Sequence, residues 1–79
     1  MTNKGHETVT DKEILRAIRD HRAPAVGSSD IGSAVGVSRQ AVDRRLRNFE
    51  DEEPSLVKSD KVGQVRIWWL TTAGRELLQ

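Results

Sequence analysis

Two helical runs meet at a single glycine, and that junction limits the folds open to this chain more than any other feature. In "SSDIGSAVG", Ile31, Ala34 and Val35 recur at i, i+3 and i+4, the spacing of one helix face. Ser28 or Ser29 stands where an N-cap belongs, and Gly36 stands where a left-handed C′ residue ends a helix. Val37 follows, and Ser38 at once offers a new N-cap. The next run places Val42, Leu46 and Phe49 at i, i+4 and i+7, predicting a helix from Arg39 to Glu50 or Asp51. Two helices about three residues apart, the first closed by glycine, have helix-turn-helix spacing.

An earlier helix is equally legible. Thr10-Asp11-Lys12-Glu13 fits a capping box, with Val9 and Ile14 placed to form a hydrophobic staple. Ile14, Leu15 and Ile18 form the apolar stripe, with Ala17 at its edge, and the helix is expected to end near His21 or Arg22 ahead of Pro24. "PAVGSS" reads as turn chemistry. Residues 1–8 are polar and contain Gly5, so a flexible arm is expected there, with one domain over 9–79.

After Pro54 the period changes from helix to strand. Leu56–Ser59 and Gln64–Leu70 are predicted strands, joined by a turn over Asp60, Lys61, Val62 and Gly63. Thr71 or Thr72 is placed to cap a short helix, Ala73–Leu78, that returns Leu77 or Leu78 to the core, although Gly74 weakens it. Trp68 and Trp69 are neighbours on a strand, so they point to opposite faces and one belongs to the core.

Composition excludes several classes. The 79 residues contain no cysteine and two histidines, which leaves no disulfide framework and no zinc set; no metal and no cofactor are expected. No apolar run reaches the ~20 residues of a membrane helix. The first ten residues lack a signal-peptide apolar stretch, so a cytoplasmic, nucleoid-associated protein is expected. No nucleophile elbow, phosphate loop or pair of general acids is present, and an enzyme is not expected. No small-molecule effector is evident.

Charge is segregated although the formal net is only +1. Within residues 39–49, Arg39, Arg44, Arg45 and Arg47 stand against Asp43 alone, a net of +3. "EDEE", residues 50–53, then carries −4. Such an acidic run at a helix C-terminus faces the negative end of the dipole, and its simplest reading is a solvated acidic loop. The core face of the third helix is complete without any arginine. Gln40, Asp43, Arg44 and Arg47 point away from it, while Arg39 and Arg45 flank the stripe. Arg45 is placed to pack its stem on the core or to pair with an acid.

The element order, three helices, a β-hairpin and a short helix, resembles the winged helix-turn-helix family, especially small prokaryotic regulators of the MarR and ArsR groups. The likeness spans roughly residues 9–76 and rests on "DIGSAVGVSRQAVDRRLRNFE" and "LVKSDKVGQVRIWWLTTAG". The "IWWLT" ending is most similar to archaeal winged-helix domains of haloarchaea. Gly32 stands where the family usually has alanine. The resemblance implies an α+β, mainly helical fold with double-stranded DNA as partner: a recognition helix over 38–50 in the major groove and a wing over 56–70 on the backbone and minor groove.

In that arrangement Ser38, Arg39, Gln40, Asp43, Arg44 and Arg47 lie at the recognition helix, and Lys58, Lys61 and Arg66 on the wing, with Lys61 at its tip. The residue types suit base reading, because arginine donates two parallel hydrogen bonds to guanine and glutamine pairs with adenine. Asp43 either accepts from a cytosine amine or orients Arg39 or Arg47. The resemblance also implies that Trp68 faces inward with Leu70. Trp69 and Ile67 are then left to pack against the C-terminal helix or N-terminal arm, or to form a homodimer contact. The rival to DNA binding is a winged helix used for protein–protein interaction.

Overall fold

The computed structural model describes residues 9–79; the expected arm over residues 1–8 lies outside the described residues. Seven elements follow in order: α1 (Asp11–Arg19), β1 (Val26–Gly27), α2 (Ser28–Val35), α3 (Arg39–Asp51), β2 (Val57–Val62), β3 (Val65–Leu70) and α4 (Thr72–Leu77). The strands form one antiparallel sheet in the order β1-β3-β2.

The α1 capping box forms as expected. The Thr10 N–H donates to Glu13 Oε1, and the Glu13 N–H donates to Thr10 Oγ1, each at 3.1 Å. The Thr10 N–H, and after it the Thr10 hydroxyl, both donating to Oε1, hold the Glu13 carboxyl below its usual range. The helix ends at Arg19, one residue past its last apolar position and short of the His21 or Arg22 expected from Pro24. His21 Nδ1 accepts from the Ala23 N–H at 3.2 Å and closes a small turn directly ahead of Pro24.

Gly36, at φ +81°, ends α2 as expected. Gly32 has a more specific role. Its carbonyl accepts from the N–H groups of both Gly36 and Val37, at 2.8 and 3.0 Å. A Cβ on Gly32 would lie 2.7 Å from the Val37 carbonyl oxygen. The departure from alanine therefore follows from how tightly α2 turns into α3. Ala34, expected on the core face, is exposed, and buried Gly32 takes that position.

Three expectations are corrected. "PAVGSS" contains a strand: Val26 pairs with Trp68 and Gly27 with Ile67. Two residues have no readable period, so only their partner reveals them. Neither Ser28 nor Ser29 caps α2; the N-cap is Gly27, with no side-chain bond. Finally, the hairpin turn is Gly63-Gln64, with Gly63 at φ +63°, rather than residues 60–63. Asp60, Lys61 and Val62 belong to β2, opposite Ile67, Arg66 and Val65. A glycine of positive φ allows a two-residue turn, which carries β2 on to Val62 and starts β3 at Val65.

The core gathers Ile14, Leu15 and Ile18 of α1, Ile31 of α2, Val42, Leu46 and Phe49 of α3, and Val26, Val57, Trp68 and Leu70 of the sheet. Val9, Ala17, Val35, Val37, Leu56 and Leu78 pack at its margin, while Leu77 is exposed. Leu56 links three elements, donating to the Phe49 carbonyl at 3.0 Å and accepting from the Thr71 N–H at 3.1 Å. No helix among the described residues is long and apolar enough to cross a membrane.

Candidate nucleic-acid interface

The start of α3 is fixed by Ser38, whose Oγ accepts from the Ala41 N–H at 3.1 Å. With Val42, Leu46 and Phe49 buried beneath, the helix projects Arg39, Gln40, Arg44 and Arg47 into solvent. These four do not share one direction. Arg39 and Arg47 line a cleft of about 430 Å³ between α3, the start of α2 and the hairpin, which Lys61, Gln64 and Arg66 close from the other side. Gln40 and Arg44 lie off the cleft, on the open side of α3.

The register of the hairpin sorts its cations. Lys61 faces Arg66 across the strands, on the side that carries Val57, Ser59, Trp68 and Leu70. Lys58 pairs with Trp69 and Asp60 with Ile67, on the opposite face. Thus the fold brings together Arg39, Asp43, Arg47, Lys61 and Arg66, and it leaves Lys58 behind the hairpin. Ile67 and Trp69 are half-buried on that rear face, and Val62 and Val65 are exposed near the turn.

Two carboxylates, Asp30 and Asp43, line the same cleft, but among the described residues neither forms an ion pair with its cations. Among the described residues the ion pairs are Arg19–Asp20 and Arg45–Asp11. The second settles the role of Arg45, which also donates to the Val9 carbonyl at 2.5 Å and so ties α3 to the entry of α1. Arg39, Arg44, Arg47, Lys61 and Arg66 have no carboxylate partner among the described residues.

Asp30 is exposed at the cleft, whereas Asp43, the acid of α3 there, is half-buried and turned toward α2: its Oδ1 accepts from the Ser28 hydroxyl. Ser28 in turn accepts from the Trp68 indole N–H at 2.9 Å. A parallel arrangement lies further along. Arg66 donates to Ser59 Oγ at 2.9 Å, and Ser59 donates to the Glu50 carboxylate at 3.0 Å. Glu50 is therefore part of the helix–hairpin contact, which corrects its reading as one of four solvated acids in a loop. Glu50 and Asp51 still belong to α3.

Ser28 and Ser59 were beyond sequence reasoning, since a serine's tertiary partner leaves no local signal. Gln64, at the turn, was within reach: "VGQV" between two β-branched runs is a two-residue hairpin signal.

No protein-family model and no curated protein matches the chain. Solved structures do. BpsR of Bordetella bronchiseptica is 20% identical with a TM-score of 0.71, over 91% of this chain and 52% of that one. MepR of Staphylococcus aureus is 24% identical with a TM-score of 0.70, over 91% and 54%. A regulator described as MarR family, SP03579, is 21% identical with a TM-score of 0.68, over 91% and 48%.

The fold is a winged helix-turn-helix. Within that fold α2 and α3 are the two helices of the helix-turn-helix, β2 and β3 form the wing, and β1 completes the sheet. The chain spans about half the length of the structures it matches.

Proposed function

We propose that this winged helix binds double-stranded DNA in a sequence-specific manner, as a transcription regulator that occupies a promoter or operator. The observation that carries the reading is the set of five cations, Arg39, Arg44, Arg47, Lys61 and Arg66, without carboxylate partners among the described residues on α3 and the wing. A basic face whose cations lack ion-pair partners attracts phosphates, and binding them releases counterions. The solved winged helices lend support: one MepR structure, 24% identical with a TM-score of 0.70, is a DNA complex, and BpsR is described by the regulation of its DNA binding by 6-hydroxynicotinic acid.

In this reading Gln40 and Arg44, on the open side of α3, meet base edges in the major groove. Arg39 and Arg47 border the groove beside the wing, and Ser38 with the first N–H groups of α3 receives a phosphate. Lys61 and Arg66 serve the backbone from the wing.

The test is a fluorescence anisotropy titration of duplex DNA at several salt concentrations. Affinity is expected to fall steeply with salt. Arg44→Ala is expected to cost about 1–3 kcal/mol of binding and to reduce base preference. Duplex binding indifferent to Arg44→Ala and Arg47→Ala together sinks the assignment of α3. A second reading, a protein–protein module, rests on Ile67 and Trp69 at the rear of the wing and on the exposed Val62 and Val65. Salt-independent or absent duplex binding favours it.

A further inference from the structure

Asp43 stands in the middle of a basic row, four residues from both Arg39 and Arg47. At that spacing on a helix a carboxylate pairs readily with an arginine on either side. Here it pairs with neither: among the described residues no ion pair joins Asp43 to Arg39 or Arg47. Its Oδ1 is held by the Ser28 hydroxyl across from α2.

The direction of this hold follows from hydrogen-bond chemistry. Trp68 is fully buried, and its indole nitrogen can only donate, so it needs an acceptor. Ser28 Oγ supplies one at 2.9 Å. The single hydroxyl proton of Ser28 is then directed to Asp43, a pure acceptor when ionised. Ser28 is only 6% exposed, so water offers it little alternative. The relay therefore runs one way, from Trp68 through Ser28 to Asp43. The same device recurs seven residues along α3, where Ser59 stands between Arg66 and Glu50.

We propose that Ser28 is a positioning residue of the DNA interface. By holding Asp43 against α2, it keeps that carboxylate from neutralising Arg39 and Arg47, so both guanidinium groups stay available to nucleic acid. This inference rests on the DNA reading above. It assigns the buried serine a role in binding that its packing alone does not require.

The test uses the full chain, random and preferred duplexes, and anisotropy at several salt concentrations. Ser28→Ala frees Asp43 to pair along α3. Binding at low salt is expected to weaken about two- to tenfold, and the slope of log K against log salt to shrink by about 0.9 for each guanidinium withdrawn. Ser28→Ala/Asp43→Ala, which removes the released carboxylate, is expected to restore both affinity and slope. A serine that serves packing alone gives a double variant as weak as the single one. That result overturns the proposal, as does a Ser28→Ala protein of unchanged affinity. Ser28→Thr, which keeps the hydroxyl, is expected to keep the slope.

Asp43→Glu asks the same question without touching the buried serine. Its longer side chain carries the carboxylate past Ser28 towards the arginines, and the same loss of slope is expected; an unchanged slope counts against the proposal. A second readout needs no DNA. In Ser28→Ala the Trp68 indole N–H resonance shifts and the Arg39 or Arg47 Nε–H exchanges more slowly with water. Unmoved resonances overturn the relay. If the unaltered chain binds no duplex, the DNA reading falls alone, and the arginine resonances still decide whether Ser28 restrains Asp43.

Discussion

At the scale of single residues, a few positions oppose local preference and global fit. Alanine is the better helix former, by ~1 kcal/mol over glycine, yet Gly32 occupies a buried position in α2. The backbone carbonyl of Val37, 2.7 Å from where a Cβ would sit, decides the matter, because backbone yields less readily than a side chain. Gly32→Ala is therefore expected to destabilise the chain by about 1–3 kcal/mol in urea denaturation, despite its gain in helix propensity. A stabilised variant would show that the α2–α3 turn yields freely. The glycine itself was legible in the sequence, but its reason was not. Arg45 behaved similarly: its place beside the apolar stripe predicted either core packing or an acid partner, and only the fold supplied Asp11. Asp43 went further from expectation, since its hydroxyl partner lies fifteen residues away, on another helix.

At the scale of elements, the helices are plain in the sequence and the wing is less so. Each of α1, α2 and α3 carries a local end signal, and periodicity marks the buried faces of α1 and α3. The hairpin strands alternate through polar residues, so β2 continues past Ser59 without a change of character, and the turn falls later than its composition suggests. The consequence is functional: Lys61 lies within β2 opposite Arg66, on the α3 side, whereas Lys58 sits behind the wing opposite Trp69. Lys61→Ala is expected to weaken binding about equally on every duplex and to reduce the salt slope by about 0.9. Lys58→Ala is expected to change that slope less. Equal effects in an anisotropy titration would show that the wing lies on DNA by its other face or by its edge.

For the molecule as a whole, one small core holds every element of the interface. Leu46 is fully buried between α3 and the rest of the core, and no disulfide reinforces the packing around it. A domain of this size has a stability on the order of 5 to 10 kcal/mol. Leu46→Ala is expected to remove about 2–5 kcal/mol of it, read as a large fall in thermal midpoint by circular dichroism. The proposed binding face and the core are thus two sides of the same thirteen-residue helix. Loss of packing and loss of DNA affinity are expected together for Leu46, and apart for Arg44.

The sequence by itself determined what local rules control: where α1 and α3 begin and where α2 ends, which side of α3 is apolar, and that a helix-turn-helix precedes a hairpin. Those signals act over one or two turns, through capping, periodicity and the special backbone freedom of Gly36. Tertiary structure decided what depends on distant partners. The two-residue strand β1 exists only because β3 lies beside it. Ser28 and Ser59 gain meaning only where Trp68, Asp43, Arg66 and Glu50 converge on them. Hydroxyl bonds between segments many residues apart carry no periodicity, so the chain encodes them without displaying them.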